Sequence, residues 1–420
     1  LTDSNSTNYH ISEYIQVEAP FMEFVSYLVI DENNQHLDPG ETAEFSITVK
    51  NVGTVPVENV MATLYTLNDL VGVVDANADF GTLPTGISVT CGVDRFSLIA
   101  RLQVLPGMLI PMKLKLYNND GFEQYIPFTF TVGLVTQHDP LGPDTYGYVI
   151  YDWTDTAYEF VATYDWHGIS PSEGGLGTAV AISDGHSGSN EGDQVGSDAL
   201  EIVALPFPFQ FYGQLYDQIT ICSNGFIAMG ATENAEFRNY RLPGPMGPNP
   251  MIAPFWDDLA TGSGSGIYTW FDRYSHCFII EWHNMINGKD GSSVENFQCI
   301  LYDQAAYPTS LGDGPIKFQY HTFNNVDSQS GNRHGNYCTI GIEDHTGKVG
   351  LEYTFNNTYP TAAAPLSNGK ALFITNIPVY HEAAHLILEA TYVNDPNMNG
   401  ICEPGELIDL GVKIKNTGNL

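Results

Sequence analysis

The sequence predicts an all-β protein made of β-sandwich domains. The chain of 420 residues contains 24 Tyr and 22 Phe, together with 41 Gly and 24 Pro. Aromatic residues favour strands, whereas Gly and Pro mark the turns between them. Residues 45–49, 278–282 and 318–320 have the short, apolar character of strands. Because hardly any segment has a helical period over about ten residues, packed sheets are the expected architecture.

The charge of the chain is strongly acidic, with 49 Asp and Glu against 15 Lys and Arg, a formal net charge of −34. No basic stripe is available to meet phosphate groups, so nucleic acid is not a predicted partner. No stretch of about 18 apolar residues occurs, so the sequence predicts no membrane insertion within this segment. An acidic surface is compatible with calcium binding, with a salty medium or with simple repulsion between molecules.

A repeat connects the two ends of the chain. Residues 38–53 (DPGETAEFSITVKNVG) align without a gap with residues 403–418 (EPGELIDLGVKIKNTG). Each copy has a Pro-Gly turn, an apolar strand and an Asn-x-Gly turn, which is the pattern of one repeated supersecondary unit. Upstream, residues 27–31 match residues 392–395 less closely. We therefore expect two related β modules.

The repeated pattern resembles the CARDB-like immunoglobulin-type modules of large bacterial surface proteins. Their motif is an Asp/Asn/Gly-rich turn, then Leu-Asp-Pro-Gly-Glu, then a strand that ends in Lys-Asn-x-Gly. The resemblance implies an Ig-like β-sandwich over residues 20–133, and a linker with the start of a second module over residues 379–420. Residues 1–19 are similar to the closing strand of a module and are predicted to end a preceding one. We expect the chain to be a segment of a longer protein.

The middle of the chain holds all five tryptophans and follows a Pro/Gly-rich linker at residues 134–146. It contains SNGFI at 223–227, APFWDD at 253–258 and FQCIL at 297–301, in that order. This series resembles nidogen-type extracellular β domains and implies a larger β-sandwich over residues 147–378. A similar region accompanies CARDB-like repeats in secreted proteins of Bacteroidetes-like anaerobic bacteria. Some of those proteins carry gingipain-like cysteine or subtilisin-like peptidase domains and a type IX secretion signal.

Two acidic turns are the predicted metal sites. Oxygen ligands crowded on a tight loop suit Ca²⁺, although the spacing departs from that of an EF-hand. The alternative is that the Asp and Asn side chains only cap their own turns through hydrogen bonds. The candidate ligands are Asp31, Asn33, Asp38 and Glu41 in the first turn, and Asp395, Asn397, Asn399 and Glu406 in the second.

Residues 381–385 form an HExxH motif, the pattern of zinc peptidases. The chemistry requires a helix, so that both histidines share one face and the Glu lies beside the metal-bound water. The residues that follow align with the opening strand of the first module. We therefore favour a linker between domains, with a zinc peptidase acting through His381, Glu382 and His385 as a minor alternative.

The six cysteines form no CxxC pair, which argues against zinc and redox motifs and leaves buried thiols or one or two disulfides open. Trp256 and Trp282 lie in apolar strands and are predicted core residues. Tyr146, Tyr148 and Trp153 lie in a more polar run and are predicted to be exposed, where aromatic rings could stack on a glycan.

These observations predict a non-catalytic display and adhesion segment of a secreted or cell-surface bacterial protein. Its expected partners are an extracellular protein or glycan, bound through β-sandwich loops, and neighbouring domains of the same longer chain. The alternative is the non-catalytic C-terminal portion of a secreted gingipain-like or subtilisin-like peptidase. Ca²⁺ is the candidate cofactor, and no organic cofactor is predicted.

Overall fold

The computed structural model describes residues 18–31, 33–66, 68–184, 199–287, 293–327, 336–377, 386–394 and 409–416. The chain forms two compact units, Leu1–Leu134 and Val135–Leu420. Antiparallel strands provide nearly all of the regular structure, which confirms the predicted all-β fold. Among the described residues, no helix has the length and apolar character needed to cross a bilayer.

Over its described residues, the first unit contains nine strands in two antiparallel sheets. The strands are β1 (Met22–Ile30), β2 (Thr42–Asn51), β3 (Val57–Thr66), β4 (Val71–Asp75), β5 (Asn77–Leu83), β6 (Ser88–Thr90), β7 (Phe96–Ala100), β8 (Leu109–Tyr117) and β9 (Glu123–Thr131). One sheet has the order β1-β2-β7-β4 with β6 beside β2, and the other has the order β5-β3-β8-β9. Phe45, Ile47 and Val49 alternate along β2 and are buried in the shared core, where Phe45 meets Phe130 edge to face.

The second unit is a larger sandwich. Its strands are β10 (Tyr148–Tyr151), β11 (Thr178–Ala179), β12 (Leu200–Phe211), β13 (Gln214–Cys222), β14 (Ile227–Met229), β15 (Met251–Trp256), β16 (Leu259–Ala260), β17 (Gly266–Asp272), β18 (Cys277–Asn287), β19 (Ser293–Tyr302), β20 (Ile316–Thr322), β21 (Thr339–Glu343), β22 (Gly350–Phe355) and β23 (Lys370–Asn376). A 3₁₀ turn covers Pro171–Glu173. The eight-stranded sheet has the order β10-β23-β20-β19-β18-β17-β11 with β16 beside β18, and the six-stranded sheet has the order β12-β13-β14-β15-β21-β22.

The main core of the second unit fills the space between these two sheets. Trp282 is fully buried there, stacks on Phe297 at 5.0 Å and donates its indole N–H to the carbonyl of Cys222 in the facing sheet. Trp256 is also fully buried, so both predicted core tryptophans are confirmed. The predicted exposure of Tyr148 is wrong. Its strand β10 lies at the edge of the sheet, but its ring is buried against Phe211 and other aromatic rings of the core.

A separate hairpin consists of β24 (Leu386–Asn394) and β25 (Asp409–Asn416). Its register repeats that of β1 and β2: Leu386 lies opposite Asn416 as Met22 lies opposite Asn51. Each pairing also has an irregularity at the same point, after the third residue pair. The repeated sequence therefore forms the same bulged hairpin twice. The connection between the two paired strands is one residue longer in the second copy than in the first.

The cysteines of the described residues are buried. Cys91, Cys277, Cys299 and Cys338 are free thiols, and burial raises the pKa of Cys277 to about 12. Cys222 is buried too, and Cys402 lies outside the described residues. Of the two alternatives left open by the sequence, buried thiols describe these four residues.

Candidate functional site

Both faces of strand β18 are buried, which is the basis of the candidate site. Phe278, Ile280 and Trp282 point into the main core, and the residues between them lie on the outer face of the sheet. Residues 164–177, here called the strap, cover this outer face. Ile169 of the strap packs with Cys277 and other apolar residues of the outer face. The outer face is therefore buried beneath the strap, although it lies on the side of the sheet that does not face the six-stranded sheet.

Three polar side chains lie side by side on neighbouring strands of this outer face. Glu281 on β18 pairs with Gln298 on β19, which pairs with Gln319 on β20. All three residues are fully buried. The amide of Gln298 donates to Glu281 Oε2 at 2.8 Å, and that of Gln319 lies 3.4 Å from Gln298 Oε1. These residues form a continuous polar row across the strands, which is called the polar row below.

The polar row binds the backbone of the strap at every second residue. Gln319 accepts from the Asp165 amide at 2.7 Å and donates to its carbonyl at 2.9 Å. Gln298 donates to the His167 carbonyl at 2.7 Å, and Glu281 Oε2 accepts from the Ile169 amide at 2.8 Å. These side chains therefore take the place of a neighbouring strand. They supply the hydrogen bonds that backbone groups of the strap need when the strap covers the sheet.

The strap then turns back on itself at a glycine. The Gly175 amide donates to the Ser170 carbonyl at 2.9 Å, and the Gly177 amide donates to the Ile169 carbonyl at 2.8 Å. A β-carbon at position 175 would lie 2.3 Å from the Ile169 carbonyl carbon, so no larger residue fits at this close approach. This turn places Glu173 above the end of the polar row.

Glu173, Glu281 and His283 bring three potential metal ligands together. Each residue offers one ligand atom, and these three atoms all lie within 4.8 Å of one another; this is the group of three among the described residues that meets this distance. Glu281 Oε1 is 3.2 Å from His283 Nδ1, and Glu173 Oε1 is 3.9 Å from the same nitrogen. Glu281 and His283 are buried, whereas the Glu173 side chain is 43% exposed. The cluster therefore opens to solvent on the side of the strap.

Aromatic rings lie along the exposed side of the strap. Tyr164 stacks with Trp166 at 6.4 Å, and Trp166 stacks with His321 at 5.1 Å. The hydroxyl of Tyr164 lies 2.9 Å from His321 Nδ1. A second pair follows, with His167 stacked on Trp270 at 5.3 Å. We call these five residues the aromatic row; its two histidines are exposed and its other rings are partly exposed.

The first acidic turn is closed by its own hydrogen bonds. Asp31 Oδ1 accepts from the amides of Gln35, Asn33 and Asn34 at 2.9–3.0 Å, and these bonds, led by that of Gln35, lower the pKa of Asp31. Asp38 Oδ2 accepts from the Asn34 side chain at 2.7 Å. Asp31 Oδ2 has no hydrogen-bond partner among the described residues. The turn has the predicted self-capping bonds and still offers an oxygen, so calcium binding stays a prediction.

The other predicted sites lie outside the described residues. These are the second acidic turn, with Asp395, Asn397, Asn399 and Glu406, and the HExxH motif, with His381, Glu382 and His385. Strand β24 begins at Leu386, directly after the motif. Zinc peptidase activity through this motif therefore remains the minor alternative that the sequence predicted.

Sequence reasoning missed the polar row and the Glu–His cluster. The signal for the row was present: Glu281 and Gln319 each interrupt a predicted strand, and Gln298 interrupts the otherwise apolar FQCIL motif. A polar residue at such a position indicates a buried partner. The partner itself could not be found, because Ile169 lies 112 residues away from Glu281 in the chain. Glu173 ends a short 3₁₀ turn that has no sequence motif of its own.

Comparison with known protein families agrees with the nidogen-like resemblance. Residues 177–377 match the family model described as NIDO related, and this range holds all strands of the second unit from β11 to β23. Such domains are typical of extracellular proteins and are of a non-enzymatic type. Glu281 and His283 lie within the matched range, whereas Glu173 and most of the strap precede it. No curated protein matches the chain.

Proposed function

We propose that this chain is a non-catalytic display and adhesion segment of a secreted or cell-surface protein, and that the second unit binds its partner through the aromatic row. The observation that carries the proposal is the pair of ring stacks, Tyr164–Trp166–His321 and His167–Trp270, on the exposed side of the strap. Aromatic side chains with a polar edge supply large contact areas in binding sites.

The rings are held in place before any partner arrives. The backbone of the strap is hydrogen-bonded to the polar row at Asp165, His167 and Ile169, the residues that alternate with Tyr164, Trp166 and Gly168. A rigid surface loses less conformational entropy when it binds, so fixed rings favour affinity. This is the role that the sequence predicted for β-sandwich loops, now proposed for one segment of the second unit.

The charge of the chain narrows the class of partner. At a formal net charge of −34, the protein repels anionic partners at long range. Flat aromatic rings suit the apolar face of a neutral sugar ring. We therefore favour a neutral glycan, with an extracellular protein as the other partner class that the sequence predicts.

Binding to an array of neutral and anionic glycans, alongside a panel of extracellular proteins, tests the proposal. Trp166→Ala is expected to remove binding, because it deletes the ring in contact with both Tyr164 and His321. Tyr274→Ala is the matched control, since Tyr274 is 96% exposed in a turn and belongs to no described ring stack. Equal binding by the two variants would contradict the role of the aromatic row.

Three finer statements belong to the same proposal. The acidic turn at Asp31, Asn33, Asp38 and Glu41 is proposed to bind Ca²⁺, because one carboxylate oxygen of Asp31 is buried there without a hydrogen-bond partner. The resemblance of residues 20–133 to CARDB-like modules supports a spacer role for the first unit. The proposed bacterial origin, with a secreted peptidase as the wider context, is tested by the sequence of the gene on either side of this segment.

A further inference from the structure

Glu281 is an unusual residue for the inside of a protein. Its side chain is 0% exposed, and only one of its two carboxylate oxygens is hydrogen-bonded. The other, Oε1, is buried and has no hydrogen-bond partner. A buried carboxylate oxygen without a partner is costly, so such an atom calls for a specific explanation.

The unpartnered oxygen points at a histidine that is equally buried. Glu281 Oε1 lies 3.2 Å from His283 Nδ1, but this contact lacks the direction of a hydrogen bond. Residues 281 and 283 are two apart on β18 and therefore share the outer face of the sheet. Glu173 Oε1 completes the group from the strap, 3.9 Å from the same nitrogen.

We propose that Glu173, Glu281 and His283 bind a divalent transition-metal ion of the Zn²⁺ type. Metal–ligand distances of about 2.0–2.1 Å in a tetrahedral site put ligand atoms about 3.3 Å apart. The observed separations of 3.2 and 3.9 Å from His283 Nδ1 are close to this value, and the longer one involves the exposed, movable Glu173. An imidazole ligand disfavours Ca²⁺ and Mg²⁺, which prefer oxygen.

The surroundings of the ligands suit a metal site. Glu281 is oriented by the bonds from the Ile169 amide and the Gln298 side chain to Oε2, which leave Oε1 for the ion. His283 Nε2 lies 3.2 Å from Ser172 Oγ and 2.9 Å from the side-chain amide of Asn284. With Nε2–H donated to Ser172 Oγ, or to the Asn284 oxygen in its flipped orientation, Nδ1 carries the lone pair and faces the carboxylates. The side-chain amide of buried Asn296 also lies 3.5 Å from Nδ1, at the outer limit of a hydrogen bond, and a bound ion would replace this weak contact.

The proposed ion joins two parts of the molecule. Two ligands belong to the eight-stranded sheet and the third belongs to the strap, so the ion pins the strap onto the outer face at the end of the polar row. Three protein ligands leave one position of a tetrahedral ion for water on the solvent side of Glu173. The metal is therefore proposed to stabilise the segment that presents the aromatic row, independently of whether that row binds a glycan.

Zinc titration of the full chain without a histidine tag, followed by calorimetry and by the visible absorption of substituted Co²⁺, tests this site. The HExxH motif is a competing zinc site, so the titrations use the background His381→Ala/His385→Ala. We expect this background protein to bind one Zn²⁺ per chain. Glu173→Gln is expected to weaken that binding at least about tenfold, the size of effect seen even for changes outside the ligand set.

Two further variants make the result decisive. Gly168→Ala should also weaken binding, because the added β-carbon would lie 2.8 Å from Glu173 Oε2 and displace that carboxylate. Glu159→Gln, an exposed glutamate away from the cluster, should bind as the background protein does. The proposal is overturned if the background protein binds no Zn²⁺, which would leave an ordinary Glu–His contact. It is equally overturned if Glu173→Gln binds as tightly as Glu159→Gln.

Discussion

Both faces of the eight-stranded sheet are buried, but different interactions stabilise each of them. The inner face is apolar, with Phe278, Ile280 and Trp282 packed against the six-stranded sheet. The outer face combines a small apolar cluster with the polar row of Glu281, Gln298 and Gln319, which bonds to the backbone of the strap. A sheet face can therefore be buried without a second sheet, when its side chains supply the hydrogen bonds that the backbone of an irregular covering segment needs.

The six-stranded sheet uses the same device. Glu343 Oε2 accepts from the Gly244 amide at 2.8 Å, and Glu352 Oε2 accepts from the Leu242 amide at 3.0 Å. Trp256 donates its indole N–H to the Glu236 carbonyl of the same covering segment. In both sheets, carboxylates on the outer face accept hydrogen bonds from the backbone of an irregular covering segment, whereas apolar side chains fill the space between the sheets.

The inner face should give the largest effect on stability. Trp282→Ala is expected to lower the free energy of unfolding of the second unit by about 3–5 kcal/mol, because it leaves a cavity and removes the bond to Cys222. Tryptophan fluorescence during denaturation measures this, since all five tryptophans lie in the second unit. A loss no larger than that of Trp270→Ala, a partly exposed ring of the aromatic row, would contradict the contrast between the faces.

The polar row should give a smaller but clear loss. Gln319→Leu keeps the size of the side chain and removes both bonds to Asp165, which leaves the partly buried Asp165 amide and carbonyl without these partners. We expect a cost of about 1–3 kcal/mol in the same unfolding experiment. Gln214→Leu is the control, because the Gln214 side chain bonds to the exposed His345 and to the Tyr216 hydroxyl two residues away, and not to a covering segment. Equal effects of the two variants would show that the polar row contributes nothing to stability.

The carboxylates of the outer faces should make stability depend on pH. Burial raises the pKa of Glu343 to about 8, from about 4.5 for an ordinary glutamate. Between these values the native state holds a proton that the unfolded state has lost, so the free energy of unfolding falls as pH rises through this window. The slope for this group is at most about 1.4 kcal/mol per pH unit.

Glu343→Gln resembles the protonated carboxyl and should flatten that pH profile in unfolding measurements between about pH 5 and pH 8. Glu159→Gln, at an exposed position, should leave the profile unchanged. Burial also raises the pKa of Glu295 to about 7, so some pH dependence should remain in the Glu343→Gln protein. A profile that Glu343→Gln leaves as steep as before would refute this assignment.

Calcium should have the smallest effect, because its predicted turn in the first unit is partly exposed and closed by its own hydrogen bonds. For a dissociation constant of about 0.1–1 mM, Ca²⁺ at about 1 mM adds roughly 0.4–1.4 kcal/mol to the stability of the unit. Calorimetric melting with Ca²⁺ or Mg²⁺ measures the difference. Asp38→Asn should abolish the calcium response, and a wild-type protein that melts alike in both ions would rule the site out.

The difference between the faces also explains what the sequence could reveal. Strands such as β18 and β20, and the burial of Trp256 and Trp282, follow from local apolar runs and were predicted correctly. The exposure of Tyr148 was predicted wrongly, since the polar residues around it suggested a surface. Burial of that ring depends on strand pairing with distant β23, which local sequence does not encode.

The outer face was beyond sequence reasoning for the same reason. Glu281 lies in the predicted strand 278–282 and His283 directly follows it, and their spacing alone matches any exposed strand face. Glu281 and His283 form a three-residue cluster only with Glu173, which lies beside them because the strap folds back at Gly175. Contacts over such separations are set by tertiary packing rather than by a motif.

Native-state hydrogen exchange of the strap tests the central claim most directly. If the polar row holds the strap, the amides of Asp165 and Ile169, which donate to Gln319 and Glu281, should exchange far more slowly than in an unstructured peptide. The same two amides should lose most of this protection in Gln319→Leu and Glu281→Leu, respectively. Exchange at unstructured-peptide rates in the wild-type protein would contradict the account, because it would show that the strap does not remain bound to the outer face.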